Sequence, residues 1–169
     1  LPIISNNYEI VNNIVSNHYQ SLPDEMVGRI SFYGKSVNAL KDEDVRISKR
    51  LYIPTQRLRG FVKGKVGPID NLDYIGGNYV STINISSTLP KALPSFQNLD
   101  FSLFFDAANV WGVDYDSSID RGGKIRSSTG IALNVFTPIG PLNFSLAQPL
   151  SKSASDRTET FRFNLGTTF

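Results

Sequence analysis

Cysteine is absent from the 169 residues, and histidine, methionine and tryptophan occur once each. The missing cysteine excludes disulfides, thiol nucleophiles and Cys-ligated zinc. The single His18 excludes histidine-rich metal sites and has no Ser or Cys nucleophile pattern near it to make a triad. Charge of one sign is scarce: 17 Lys and Arg stand against 15 Asp and Glu, a net of +2, too little for bulk attraction to nucleic acid. No glycine-rich phosphate loop appears. No apolar run reaches about 18 residues, so no transmembrane helix can be drawn. The chain begins Leu1-Pro2-Ile3-Ile4, without the basic and apolar segments of a signal peptide. It reads either as cytoplasmic or as a piece of a processed, longer chain. The length fits about one domain. One class passes every exclusion: a transmembrane β-barrel alternates apolar and polar residues, so its average hydropathy looks ordinary.

Alternation is what the sequence has in abundance. In 98–111, Leu99, Phe101, Leu103 and Phe105 share one face, and Asp100, Ser102, Phe104, Asp106 and Ala108 share the other. In 125–136, Ile125, Ile131, Leu133 and Val135 oppose Arg126, Ser128, Gly130, Ala132 and Asn134. In 141–150, Leu142, Phe144, Leu146 and Leu150 oppose Asn143, Ser145 and Ala147. Residues 78–89 and 160–169 alternate likewise, and 7–20 and 25–38 do so less cleanly. Period two is the signature of strands with unlike faces. Seven strands are predicted. Residues 40–52, with Leu40, Val45, Ile47 and Leu51, read as a turn or short helix.

Connections differ in length. The 20–25 and 137–140 links are short, 39–77 is long, and 90–97, 112–124 and 151–159 lie between. Outer-membrane barrels show this rhythm, and a soluble lipocalin-like barrel shows some of it. Face chemistry separates the two. A small soluble barrel turns its polar face to water and charges it. Here only Asp100, Asp106, Arg126 and Arg162 charge the polar faces of the last five strands. That favours an apolar exterior and a polar lumen.

Leu58-Arg59-Gly60-Phe61 resembles the RGF loop motif of BamA-type outer-membrane assembly proteins, the surface-antigen family. Gly76-Gly77-Asn78 precedes a strand, as in that family. Phe104-Phe105-Asp106-Ala107-Ala108-Asn109-Val110-Trp111 resembles its FxDxGxVW strand, with Ala108 where Gly is common. Thr137-Pro138-Ile139-Gly140-Pro141-Leu142 and Ala147-Gln148-Pro149 resemble its proline turn and the AQP after it. The ending, with Phe161, Phe163, Leu165, Gly166 and Phe169, resembles its C-terminal β-signal. Three residues recur by chance, but this ordered set spans roughly 57–169. Residues 1–56 match in strand pattern only.

The resemblance implies an all-β, antiparallel up-and-down transmembrane barrel fragment, the last seven strands of a sixteen-stranded parent preceded by periplasmic POTRA domains. It implies a place in the bacterial outer membrane and the folding and insertion of barrel proteins there, with no cofactor and no enzymatic reaction. Its partners would be outer-membrane lipids and lipopolysaccharide, nascent barrel proteins, and accessory lipoproteins held through periplasmic domains that this chain lacks. It also implies that Arg59 folds into the lumen to meet Asp106, with Phe61 packing on lumen residues, and that the barrel seam lies at the last strand. Seven strands leave two open edges, so self-association is expected of a fragment. The alternative is a passive barrel, a two-partner-secretion-type pore or a lipocalin-like carrier.

Two clusters carry competing readings. Residues 41–65 hold eight basic residues against three acidic ones, a local excess facing lipopolysaccharide, an acidic lumen wall or plain solvent. A nucleic-acid patch would interleave more aromatics than Tyr52 and Phe61. Asp114, Asp116 and Asp120 have oxygen-rich spacing suited to Ca²⁺, without the glycine and glutamate of an EF-hand.

Overall fold

The computed structural model describes residues 8–40, 44–92, 98–119, 123–138 and 140–166. Among these residues nine strands form: β1 (Glu9–Ser21), β2 (Val27–Ala39), β3 (Ile69–Asp70), β4 (Asp73–Tyr74), β5 (Tyr79–Thr88), β6 (Leu99–Trp111), β7 (Arg126–Thr137), β8 (Gly140–Ser151) and β9 (Phe161–Leu165). Seven make one sheet in the order β1-β2-β5-β6-β7-β8-β9, and every pairing is antiparallel. This is an up-and-down meander in which only the β3–β4 hairpin stands apart. Among the described residues no helix is long and apolar enough to cross a membrane. The six longest strands run 10–13 residues, and a tilted strand needs about 9–11 to span a bilayer.

Because side chains alternate, residues paired across the sheet share a face. One row reads Leu103, Ile131, Leu146, Phe161 across β6 to β9. The next rows add Leu133, Phe144 and Phe163, then Val135, Leu142 and Leu165. Further along the sheet Ile30, Ile85 and Phe105 are paired in line. Most of these side chains are exposed. They form a continuous apolar band on the outer face, the reverse of a water-soluble barrel and the arrangement that lipid requires. Phe144 stacks against Phe161 and meets Phe163 at a tilt, with centroids 6.4 and 5.1 Å apart.

The inner face is built from the other parity. One row runs Asn17, Ser31, Asn84, Asp106, Ser128 across five strands. Another runs Asp100, Asn134, Asn143, Asn164, and a third runs Thr88, Ser102, Ala132, Ser145, Arg162. Residues 44–77 lie across this face. They are anchored where Leu51 and Gly77 exchange backbone hydrogen bonds of 2.7 and 2.9 Å. A Cβ on Gly77 would fall 2.3 Å from the Trp111 carbonyl oxygen, so only glycine lets the loop return this close to β6.

The strand boundaries differ from the alternation by one or two residues. Within 40–52, read as a turn or short helix, the described residues form one 3₁₀ turn at Ile47–Lys49, and a second follows at Thr55–Arg57. The sequence pattern gave no sign of the β3–β4 hairpin. Its tip residues Asn71 and Leu72 take left-handed φ values of 45° and 76°, the backbone of a two-residue hairpin turn. The last strand, expected over 160–169, is ordered in the ladder through Leu165. Phe169 lies outside the described residues.

Candidate functional site

The 3₁₀ turn at Thr55–Arg57 drops the chain onto the inner wall, and Leu58, Arg59, Gly60 and Phe61 follow at its deepest point. Arg59 donates from Nε to Asp106 Oδ2 and from Nη2 to Asp106 Oδ1, each at 2.7 Å. Its backbone N–H donates to the same carboxylate at 3.1 Å. The Asn84 amide adds a fourth donor at 2.8 Å and bonds the Arg57 carbonyl at 2.8 Å. Ser128 Oγ donates to the Arg59 carbonyl at 2.5 Å, and Arg57 donates to Ser31 Oγ at 3.1 Å. One inner row, Ser31 to Ser128, therefore receives the loop along its length. The Asp106 side chain is fully buried, against one-fifth exposure for Arg59. A planar fork meeting a carboxylate at two points, with remaining lone pairs satisfied, is the geometry in which a desolvated ion pair holds.

Phe104 completes the Arg59 site. It is the one aromatic on the inner parity of β6, and the Arg59 guanidinium lies 3.4 Å from its ring centroid. Cation and π-face attract most strongly where water is excluded. Gly60 turns the chain with φ +85° while a Cβ there would sit 3.1 Å from Ala147 Cβ and 3.4 Å from Ser128 Cβ. Two constraints, a left-handed backbone and a close wall, thus coincide on glycine. Phe61 is 2% exposed and packs with Leu58, Val66 and the inner-face Ala108. This small apolar core sits between loop and wall.

Two further ion pairs hold the loops to each other. Arg126 of β7 donates to Asp156 at 3.0 and 3.3 Å, and its other donors reach Asn109 Oδ1, the Lys124 carbonyl and Ser153 Oγ. Asp156 also accepts the Ser153 and Gly67 N–H groups, so one carboxylate joins β7, the 151–159 loop and the long loop. Asp114 is paired with Arg50 and accepts the Val45 N–H at 2.7 Å and the Asn78 amide at 2.9 Å. Burial pushes the Asp114 carboxyl up, but these donors and the guanidinium outweigh it and hold it below the ordinary carboxylate range. Asp116 is lowered by the Ser118 hydroxyl and N–H. Its oxygen and that of Asp114 are thus engaged by protein donors, and Asp120 lies outside the described residues.

The described basic residues of 41–65 divide by burial, with Arg46 on the exposed side, where it pairs with Glu9. Arg50, Arg57 and Arg59 turn inward onto the wall, whereas Lys49, Lys63 and Lys65 are exposed. Below the loop lies a cavity of about 270 Å³ lined by Arg29, Arg57, Arg59, Arg162, Asn134 and Asn164 among others. Phe161, Phe163 and Leu165 point outward in the apolar band. Gly166 takes φ +116° and donates its N–H to the Pro141 carbonyl at 3.0 Å, so the β8–β9 pairing reaches it. Sequence parity placed Asn84, Ser128 and Arg162 on the inner face without assigning them partners, and an aromatic on a polar face was the unused signal for Phe104.

Residues 13–169 match the Omp85 superfamily domain. The chain belongs to the Omp85 superfamily. Among its Omp85 relatives is the outer membrane protein assembly factor BamA of Neisseria meningitidis serogroup B, 34% identical over 141 residues, covering 66% of this chain and 17% of that protein. The BamA of Neorickettsia risticii is 27% identical over 130 residues, covering 75% of this chain and 17% of its own length. The crystal structure of Haemophilus ducreyi BamA lacking POTRA domains 1–3 superposes with a TM-score of 0.80 at 28% identity, covering 93% of this chain and 34% of that one. This Omp85 chain thus spans about a sixth of the length of the curated relatives it matches.

Proposed function

We propose that this chain forms the C-terminal wall of an outer-membrane barrel that folds and inserts other β-barrel proteins. The observation that carries the reading is the loop lock: Arg59, stacked on Phe104, is bound at two points by the buried Asp106 inside a sheet whose outer face is apolar. A loop pinned in the lumen stiffens one side of a barrel. The barrel seam lies at the last strand, β9, and a strand edge freed there is a template for another strand. The work is physical rather than covalent: local weakening of the bilayer and strand templating. Nascent barrel proteins are the clients. The exposed Lys49, Lys63 and Lys65 face anionic lipopolysaccharide, and the apolar band faces outer-membrane lipid. Accessory lipoproteins bind periplasmic domains outside these strands.

The reading is tested with the complete protein in lipid vesicles and an urea-unfolded client barrel. Expected is accelerated client folding, seen as a shift in heat-modifiable gel mobility, and a marked slowing with Asp106→Asn. Ion conductance without any acceleration of folding would favour the passive pore instead.

A further inference from the structure

The connection into β9 is bonded on two sides. Toward β8, the Ala147 N–H donates to the Thr160 carbonyl at 2.8 Å. Toward the loop, the Glu159 N–H donates to Gly60 O at 3.1 Å, Val62 N–H to Arg157 O at 2.9 Å and Arg157 N–H to Lys65 O at 3.0 Å. Phe61 and Thr158 face each other in an antiparallel bridge. Residues 60–62 therefore pair with 157–159 around a single bridge, and the turn that follows, closed by Lys65 N–H on Val62 O at 3.1 Å, brings Lys65 O back to the Arg157 N–H.

Arg162 extends this contact into β9 itself. It sits opposite Ser145 on the inner face, with its side chain nearly buried. Its guanidinium donates to the Phe61 carbonyl and the Thr55 carbonyl and pairs with Glu159. The two carbonyls belong to the loop that carries Arg59, one on each side of it in sequence. A buried cation whose acceptors lie on a separate segment cannot lose that segment cheaply. If the loop leaves the lumen, Arg162 loses two acceptors and the Glu159 N–H loses a third. If β9 leaves β8, the loop carbonyls lose the same donors.

We propose that Arg162 is a positioning residue that makes seating of the 58–61 loop and pairing of β9 a single event. Loop in, β9 is held on β8; loop out, the β9 ladder loosens and its edge becomes available. The coupling itself stands apart from client folding. Its consequence for clients rests on the assembly reading above.

Hydrogen–deuterium exchange on the complete protein in detergent micelles tests the coupling. With Arg162→Gln, exchange is expected to rise about tenfold in both 161–165 and 60–65, the scale of a lost charge-assisted bond. Coupling is reciprocal. Asp106→Asn, which loosens the loop without touching β9, is therefore expected to raise exchange in 161–165 as well. Arg162→Lys keeps a cation within reach of one carbonyl and is expected to restore part of the protection. Loosening of 161–165 alone by Arg162→Gln, or of 60–65 alone by Asp106→Asn, overturns the proposal. Should Arg162→Gln not fold, the Asp106→Asn measurement decides by itself. Lost coupling with client folding intact overturns this inference and leaves the assembly reading standing; coupling intact with no client folding does the reverse.

Discussion

Arg59 and Asp106 meet through two hydrogen bonds of 2.7 Å, with the carboxylate wholly removed from water. Removing either partner strands a buried charge, at about 3–5 kcal/mol. Asp106→Asn and Arg59→Ala are each expected to expose the 39–77 loop to protease in detergent. Arg59→Glu combined with Asp106→Arg is expected to recover part of the loss, since the pair is local. A double-mutant cycle on protease half-lives showing a coupling near zero would refute a direct pair.

The four charges on the inner faces of the last five strands show what was legible in the sequence and what was not. Alternation alone placed Asp106, Arg126 and Arg162 inside, since a slip of one residue would have moved the apolar set off the outer face. Three of the four hold loops: Asp106 takes Arg59, Arg126 takes Asp156 and Arg162 takes loop carbonyls, while Asp100 stays exposed. The partner Asp156 lies in an irregular connection, where no periodicity reports which way a side chain turns. The β3–β4 hairpin escaped for the same reason, because two-residue strands are too short to alternate.

Gly60 carries both a left-handed φ of +85° and a wall 3.1 Å from its missing Cβ. Gly60→Ala is expected to cost about 1–3 kcal/mol from the backbone conformation alone. Adding Ala147→Gly removes the steric contact but not the strain, so it is expected to rescue only part of the fall in Tm in detergent. Complete rescue would mean that the contact, not the φ, demands glycine.

Asp114 sets an acid limit on the loops. Its folded-state pKa is depressed, so its contribution is present above the unfolded carboxylate value near about 4 and is lost as pH falls through the folded value. Limited proteolysis of the 39–77 loop is expected to be unchanged between pH 7 and pH 5 and to accelerate below about pH 4. Asp114→Asn is expected to weaken the loop at neutral pH and to flatten that acid dependence. A variant that keeps the full acid response would place the titrating group elsewhere.

The Arg126–Asp156 pair is nearly dry on both sides, with 3% and 0% side-chain exposure. Arg126→Ala is expected to cost about 3–5 kcal/mol because Asp156 is left charged among backbone donors. Arg126→Met with Asp156→Leu removes both charges, and buried pairs replaced by apolar side chains often break even. The double variant is expected to unfold at a higher temperature than Arg126→Ala. A double variant worse than either single change would show that the Ser153 and Gly67 N–H groups, left without their acceptor, outweigh the charge.

The outer row of Leu103, Ile131, Leu146 and Phe161 gives the sharpest test of which face meets lipid. A cation on that row sits in hydrocarbon, at about 2–4 kcal/mol near the bilayer midplane. Ile131→Arg is therefore expected to reduce folding of the complete protein into lipid vesicles, read by heat-modifiable mobility. Ala132→Arg, one residue along and on the inner face, tests the opposite environment: its neighbours across the sheet are Ser102 and Ser145. It is expected to fold more efficiently than Ile131→Arg despite the larger change in side-chain volume. The reverse order would place the apolar face inside and end the membrane reading of this sheet.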